Sequence, residues 1–293
     1  MQQSEIVIIL ADISGYTKFM LDNRTAAVHG QLCINALVDS ILQHVDIPLV
    51  LQEIEGDAVF LYAADPGPEQ GWDSVLQEVS EKLASFFEAF INQLGVGIEA
   101  TQCPCAICSN ADKLGLKIIV HVGEAIFHEG GGRHQVSGPD VILAHRLLKN
   151  SVDSKEYLLL TEAAFAAMGK HLEGSFEKRR EVYDDFEPVD VRVRELSANF
   201  LNARDAVYHL DDLDLKNTVD AFTDWVIVAN FRAMLQQLRN PIRSFGFIDK
   251  LLMVFDLFKW RILYGFIHRP SILKALRARG KRRTNTSVEN AVS

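Results

Sequence analysis

The stretch ILADISGYTKFM, residues 9–20, decides the fold because a buried strand ends there in a carboxylate. Residues 6–10 form an unbroken aliphatic run, which is typical of a strand covered on both faces. Asp12 follows this run, and a Ser-Gly turn and a second apolar segment come next. A carboxylate in this position either caps a turn or helix or belongs to a functional site. The segments around it decide between these interpretations.

Length and composition indicate a packed globular protein. The chain has 293 residues, 48% of them hydrophobic and 24% charged, which suits one large domain or one domain with an appendage. A formal net charge of −9 argues against nucleic acid as the partner. No signal peptide is recognised, and charged residues interrupt the most apolar late stretch, residues 245–267, so we expect no transmembrane segment. The predicted location is the cytoplasm.

Strand and helix patterns alternate over residues 1–200, which predicts a mixed α/β (α+β) fold. Residues 48–64 read as two strands that meet in a hairpin at Glu55-Gly56-Asp57. Helical periodicity follows from about residue 74 to 94, and residues 116–127 predict a strong strand before a helix over residues 139–150. The alternating stretch VDVRVRELS, residues 189–197, predicts a half-exposed edge strand.

We predict three regions in the chain: a domain over residues 1–212, a helical C-terminal extension over residues 213–280 and a disordered polar, basic tail over residues 281–293. Apolar and basic residues are interspersed in the extension. It therefore reads either as an interfacial amphipathic helix that meets anionic lipid at the inner membrane face, or as helices that pack on the domain or on a second copy. The second interpretation requires no further partner.

Two carboxylates are expected to meet at one end of the sheet. Asp12 closes the first strand, and Asp57 lies at the tip of the hairpin that should pair beside it. Carboxylate oxygens are the ligands that Mg²⁺ and other hard divalent cations prefer, and two-metal sites use them to activate an attacking oxygen and steady a leaving phosphate. The alternative is that Asp12 caps a turn and Asp57 is an ordinary hairpin residue.

Four segments together resemble the motifs of class III nucleotidyl cyclase catalytic domains, in the order found in that family. They are ILADISGYTKF, LQEIEGDAVFLY, LKIIVHVGEAIF and VSGPDVILAHRL, and they fall within residues 5–165. The chain is most similar to bacterial cyclase-homology proteins of unassigned function that carry a cysteine cluster before the central strand. The resemblance implies that residues 1–212 form a ferredoxin-like cyclase domain, with a central mixed or antiparallel sheet and flanking helices.

The resemblance also implies an activity and its site. In the family, two Mg²⁺ or Mn²⁺ ions hold the triphosphate while the ribose 3′-hydroxyl attacks the α-phosphorus and pyrophosphate leaves. The metal ligands would be Asp12, Asp57 and the backbone carbonyl of Ile13, and Arg146 would stabilise charge in the transition state. The product would be a 3′,5′-cyclic nucleotide.

Base recognition in the family depends on two positions, which are Glu53 and Gln135 in this sequence. A carboxylate can accept from the N1–H and N2–H₂ donors of guanine, so Glu53 favours GTP slightly over ATP, whereas Gln135 can donate or accept and fits neither base pattern. The alternative interpretation of Glu53 is an outward-facing strand residue.

Ile142 departs from the family pattern, because it stands where an asparagine usually orients the ribose. Isoleucine cannot donate a hydrogen bond, although position 142 still shares a helix face with Arg146. Three outcomes are open: a slower enzyme, a ribose contact made by Ser137 or Asp140 instead, or a module that binds nucleotide without cyclising it. The structural alternative for Arg146 is a surface ion pair.

Because sites in this family form between two cyclase domains, the resemblance implies a head-to-tail homodimer that binds a nucleoside triphosphate. The main alternative is a catalytically degenerate domain that binds nucleotide or dimerises as a signalling scaffold. A third interpretation is a membrane-peripheral adaptor.

A cysteine cluster precedes the predicted central strand. Cys103, Cys105 and Cys108 are close enough in sequence for their thiolates to hold one Zn²⁺. A structural zinc site needs a fourth ligand, for which the candidates are Cys33, His121 and His128. Reduced thiols with no metal are the simpler alternative.

Overall fold

The structure, a computed structural model, describes residues 2–22, 27–67, 71–99, 107, 110–130, 132–196, 251 and 254–255. The chain divides into two compact units. The first comprises Met1–Phe19, Cys33–Gly95 and Ala111–His209, and the second comprises Met20–Leu32, Val96–Asn110 and Leu210–Ser293. The predicted domain boundary at residue 212, the tail and nearly all of the C-terminal extension lie outside the described residues and stay predictions.

The described residues form eight strands and five α-helices in an alternating order. The strands are β1 Gln2–Ser14, β2 Val50–Glu55, β3 Ala58–Ala64, β4 Gly115–Gly130, β5 Arg133–Ser137, β6 Tyr157–Thr161, β7 Glu177–Tyr183 and β8 Phe186–Glu195. The helices are α1 Tyr16–Asp22, α2 Ala27–Leu42, α3 Trp72–Glu99, α4 Pro139–Leu147 and α5 Glu162–Met168. No helix within these described segments is long and apolar enough to span a membrane.

All eight strands join one mixed sheet, in the order β2-β3-β1-β4-β6-β8-β7, with β5 paired to β4 outside this path. β1 lies near the middle and pairs antiparallel with both β3 and β4, and β4 pairs parallel with β6. Residues 6–10 are buried, as their aliphatic run predicts. The predicted mixed α+β fold with a central mixed sheet and flanking helices is therefore confirmed.

One face of the sheet packs against α4. The core on this side contains alternate residues of the central strands and the buried side of the helix, which are Ile6, Ile8, Leu10, Phe60, Ile119, Leu159, Val141, Ala144 and Leu147, among others. Asp12 and Lys117 continue the same alternation on β1 and β4, so they lie on this face too. The sheet thus carries its polar candidates beside the helix that bears Arg146.

The predicted edge strand is wrong in its position. The stretch at 189–197 contributes to β8, which lies between β6 and β7, and β7 is the last strand on this side of the sheet among the described residues. The alternation of VDVRVRE reflects one buried face, with Val191 and Val193 in the core. β7 has the sequence EKRREVY, and charged side chains of this kind are typical of edge strands, where they oppose association with other strands.

Candidate active site

The two aspartates predicted as metal ligands lie side by side. The pairing of β1 with β3 ends at Asp12 opposite Ala58, and Asp57 occupies the turn residue immediately before Ala58. Burial of the Asp57 carboxyl, followed by the charge of the nearby Asp12 carboxyl, raises the pKa of Asp57 to about 7. The fold therefore maintains two close carboxylates although their mutual repulsion costs free energy.

Lys117 lies beside this carboxylate pair, and the sequence motifs did not predict this role for it. Its Nζ lies 2.8 Å from Oδ2 of Asp12, and the two side chains are only 18% and 16% exposed. The same ammonium group donates to the carbonyl oxygen of Leu148, at the C-terminal end of α4, over 3.1 Å. Lys117 lies directly opposite Asp12 in the antiparallel register of β1 and β4. A lysine within the otherwise apolar first six residues of β4, residues 115–120, was the available signal in the sequence.

The donor set fits a hard divalent cation. With both aspartates ionised and Lys117 protonated, the cluster carries a net charge of −1, and its free donors are carboxylate oxygens. Among the described residues, no three or more His, Cys, Asp or Glu side chains converge on a metal position. Further ligands would have to be backbone oxygens, water or phosphate. Ile13, the third predicted ligand, is one residue beyond the last position of β1 that pairs with β3.

Asp57→Asn is expected to stabilise the protein above pH 7 in the absence of divalent cations. An amide removes the cost of ionising a carboxyl whose folded-state pKa is raised, and the gain is about 1 kcal/mol after allowance for solvent screening. The advantage is full above about pH 7 and disappears as pH falls toward 3.8, where the parent carboxyl is protonated in both states. Thermal melts with EDTA at pH 8 and pH 5 measure it.

The control for this variant is Glu55→Gln, an exposed acid on the same hairpin. Mn²⁺ should raise the melting temperature of the parent and of Glu55→Gln, and leave that of Asp57→Asn unchanged. An Asp57→Asn protein that is less stable than the parent at pH 8 would contradict the expectation.

Helix α4 carries the two predicted site residues Ile142 and Arg146 on its outer side. Gly138 precedes the helix with φ 141°, a conformation that favours glycine, and Pro139 opens the first turn. Ile142 is 61% exposed, and Arg146 lies one turn further along the helix. The shared face predicted for positions 142 and 146 is thus available for contact. Nη2 of Arg146 lies 2.5 Å from Oδ2 of Asp185, in the turn between β7 and β8.

Asp140 anchors the start of α4 to β4. Its Oδ2 accepts from the backbone N–H of Glu124 over 2.7 Å, and its Oδ1 lies 3.3 Å from Nε2 of His121. A Cβ on Gly123 would come within 2.3 Å of Oδ2, so the strand can approach Asp140 this closely only with glycine there. The Asp140 carboxylate is therefore engaged within the chain, which disfavours the suggested ribose contact by Asp140.

His121 belongs to the core of the sheet. Its Nδ1 is 2.8 Å from Oγ1 of Thr161, and burial lowers the pKa of its imidazole despite the nearby Asp140. A buried ring whose Nδ1 is hydrogen-bonded to Thr161 and whose Nε2 faces Asp140 is a poor candidate for the fourth zinc ligand. The cysteines proposed for that site, Cys103, Cys105 and Cys108, lie outside the described residues, and Cys33 is a half-buried free thiol.

The two positions predicted to read the base lie on adjoining parts of the fold. Glu53 pairs in register with Phe60, whose ring packs edge-on against His145 of α4, so Glu53 is on the α4 side of the sheet. Nε2 of Gln52 donates to the carbonyl oxygen of His134 over 3.3 Å, which brings β2 against β5. Gln135 follows on β5 and is exposed. Ser137 ends the same strand.

Two sequence comparisons relate the chain to proteins without an assigned function. Residues 34–157 match the family model described as "Protein of unknown function (DUF2652)". Over 112 residues the chain is 35% identical to "Uncharacterized protein Rv2561/Rv2562" of Mycobacterium tuberculosis, which covers 38% of this chain and 50% of that protein. The match thus spans about half the length of this curated relative.

Similar solved structures are adenylyl and guanylyl cyclases. The adenylyl cyclase CyaB from P. aeruginosa is 14% identical with a TM-score of 0.48, over 67% of this chain and 96% of that one. A bacterial light-regulated adenylyl cyclase is 16% identical with a TM-score of 0.47, over 71% and 57%. The guanylyl cyclase Cya2 is 14% identical with a TM-score of 0.45, over 67% and 94%.

Proposed function

We propose that this protein is a nucleotidyl cyclase, which converts a nucleoside triphosphate into a 3′,5′-cyclic nucleotide and pyrophosphate. The observation that carries the proposal is the carboxylate pair of Asp12 and Asp57 at adjoining strand ends. A domain that served only as a scaffold would gain stability by replacing one of these acids. Their presence beside Lys117, on the face that bears α4, supports a site that binds a cation together with phosphate.

Each named residue has a definite task in this reaction. Asp12, Asp57 and the carbonyl of Ile13 would hold Mg²⁺ or Mn²⁺, which supplies positive charge to the triphosphate and acidifies the attacking hydroxyl. The 3′-oxygen forms a bond to the α-phosphorus, the bond to the bridging oxygen breaks, and pyrophosphate leaves while the hydroxyl proton passes to solvent. Arg146 stabilises the charge on the α-phosphate through its fixed N–H donors. Glu53 accepts from guanine, which favours GTP.

The active assembly in this proposal is a head-to-tail homodimer in the cytoplasm. Asp12 and Asp57 of one chain would meet Arg146, Glu53 and Gln135 of the other, so each dimer has two equivalent sites. Ile142 is exposed and Arg146 is partly exposed on the same helix face, which supports this arrangement, since a partner can reach both residues.

A second candidate function is nucleotide binding without cyclisation. The observation that favours it is Ile142, whose exposed aliphatic side chain cannot orient a ribose by hydrogen bonding. A domain of this kind would retain cation and triphosphate binding and would signal through dimerisation.

Incubation of the full chain with Mn²⁺ and each of the four nucleoside triphosphates tests the proposal. Mass spectrometry should detect a cyclic nucleotide and pyrophosphate, with GTP ahead of ATP. Asp57→Ala should lower the rate at least about 100-fold, because it removes a metal ligand used throughout the reaction. Glu55→Gln should keep the rate of the parent. Binding of a nucleotide without any product would favour the second candidate, and absence of both would contradict the two functions together.

A further inference from the structure

The Arg146 guanidinium has an anionic partner within its own chain. Nη2 of Arg146 and Oδ2 of Asp185 are 2.5 Å apart, and the two side chains are 39% and 67% exposed. Both groups are accessible to a ligand, and the contact uses an N–H donor that a phosphate oxygen would need. Asp185 therefore occupies a position equivalent to that of an oxyanion on this arginine.

Asp185 lies in the tight turn between β7 and β8. Tyr183 pairs with Phe186, so β7 and β8 are joined by the two residues Asp184 and Asp185 alone. Two-residue hairpins favour Asn-Gly, Asp-Gly or an initial glycine, because the preferred turns require positive φ. Neither aspartate has a positive φ. Aspartate is a common turn residue, and at position 185 its carboxylate also reaches the Arg146 guanidinium.

A partly buried hydrogen-bond network links the base of the hairpin to the segment that follows α4. The carboxylate of Glu181, only 4% exposed, accepts from Ser151 N–H over 3.0 Å and from Ser151 Oγ over 2.7 Å. In the same loop, Nδ2 of Asn150 donates to the carbonyl oxygen of Leu147 and to the hydroxyl of Tyr157, each over 2.8 Å. The segment after the helix and the base of the hairpin are therefore fixed to each other, so Asp185 is presented to Arg146 by a rigid framework.

We infer that Asp185 is an autoinhibitory latch for the nucleotide site. Its carboxylate holds the Arg146 guanidinium in the resting protein, and the α-phosphate of the substrate must displace it before Arg146 can act. The inference rests on the proposed function, because it needs a triphosphate that competes for Arg146. A triphosphate carries more negative charge than one exposed carboxylate, so it displaces Asp185 from Arg146. Its apparent affinity is lower than it would be without Asp185.

Asp185→Asn tests the latch, and Asp184→Asn in the same turn is the matched control. The probes are 3′-deoxy-GTP and 3′-deoxy-ATP with Mn²⁺, which lack the attacking hydroxyl, and binding to the full chain is measured by titration calorimetry. Loss of an exposed ion pair should tighten binding by about two- to five-fold in Asp185→Asn and leave Asp184→Asn like the parent. In an Arg146→Ala background the gain should vanish, because the competing pair no longer exists. The kcat/KM for the natural nucleotide should rise by the same factor.

The outcomes separate the latch from the proposed function. Parent protein that binds or cyclises nucleotide, with Asp185→Asn equal to it or weaker, overturns the latch alone. Nucleotide binding that appears only in Asp185→Asn supports the latch strongly. Absence of binding to the parent and to the variant overturns both the latch and the proposed function.

Discussion

An equimolar mixture of Asp57→Ala and Arg146→Ala subunits, dissociated and reassembled together, is expected to recover cyclase activity that neither variant has alone. In a head-to-tail dimer, a mixed pair has one site with both lesions and one site with none. Random pairing makes half of the dimers mixed, so activity should reach about a quarter of the parent value. The rate of cyclic nucleotide formation after reassembly measures it.

Two control mixtures test whether the recovered activity comes from a site shared between two chains. Asp57→Ala mixed with Asp12→Ala places both lesions in the same half-site, so every dimer should stay inactive. Glu55→Gln mixed with Arg146→Ala should retain activity from the start. If all the mixtures of inactive subunits stay inactive while the parent is active, then the metal ligands and Arg146 act within one chain and the dimeric site is wrong.

Gly123→Ala is expected to lower stability strongly although it adds only one methyl group. The new Cβ would lie 2.3 Å from Oδ2 and 2.9 Å from Cβ of Asp140, so α4 must move away from β4. Overpacking together with loss of the hydrogen bond from Glu124 N–H to Asp140 costs about 3 kcal/mol. For a domain of this size the melting temperature should fall by roughly 8 °C. Thermal denaturation followed by circular dichroism measures it.

The double variant Gly123→Ala/Asp140→Ala shows whether this clash is the cause. Removal of the Asp140 carboxyl leaves only the Cβ contact, so the second substitution should cost less in the Gly123→Ala background than in the parent. Glu124→Gln alters the exposed neighbouring side chain and should melt like the parent. Strictly additive losses would show that Asp140 does not limit the space at position 123.

Much of the fold was predictable because its signals are local. The aliphatic run of β1, the hairpin around Gly56, the long strand β4 and the periodicity of α4 each lie within a few consecutive residues, and each forms as expected. β7 was missed because charged residues dominate it, so it has no apolar period to detect. β8 was placed at the edge because alternation reports one buried face and says nothing about the number of neighbouring strands.

In the candidate site too, the residues identified by local motifs were predictable, whereas their long-range contacts were not. Asp12, Asp57 and Arg146 stand out by their places in short motifs, and the sequence alone is enough to nominate them. Their partners are set by pairing between distant segments. Lys117 meets Asp12 through the register of β1 and β4, and Asp185 meets Arg146 through a hairpin 39 residues away.

The sequence by itself therefore determined the class of fold, the order of its main elements and the residue types at the end of the sheet. Tertiary structure alone decided which charges those residues face: Lys117 beside the carboxylate pair, the backbone of β4 beneath Asp140, and Asp185 on Arg146. The physical reason is that side-chain periodicity is a property of neighbouring residues. Electrostatic environment depends instead on strand register and helix packing, which bring together residues that are far apart in the chain.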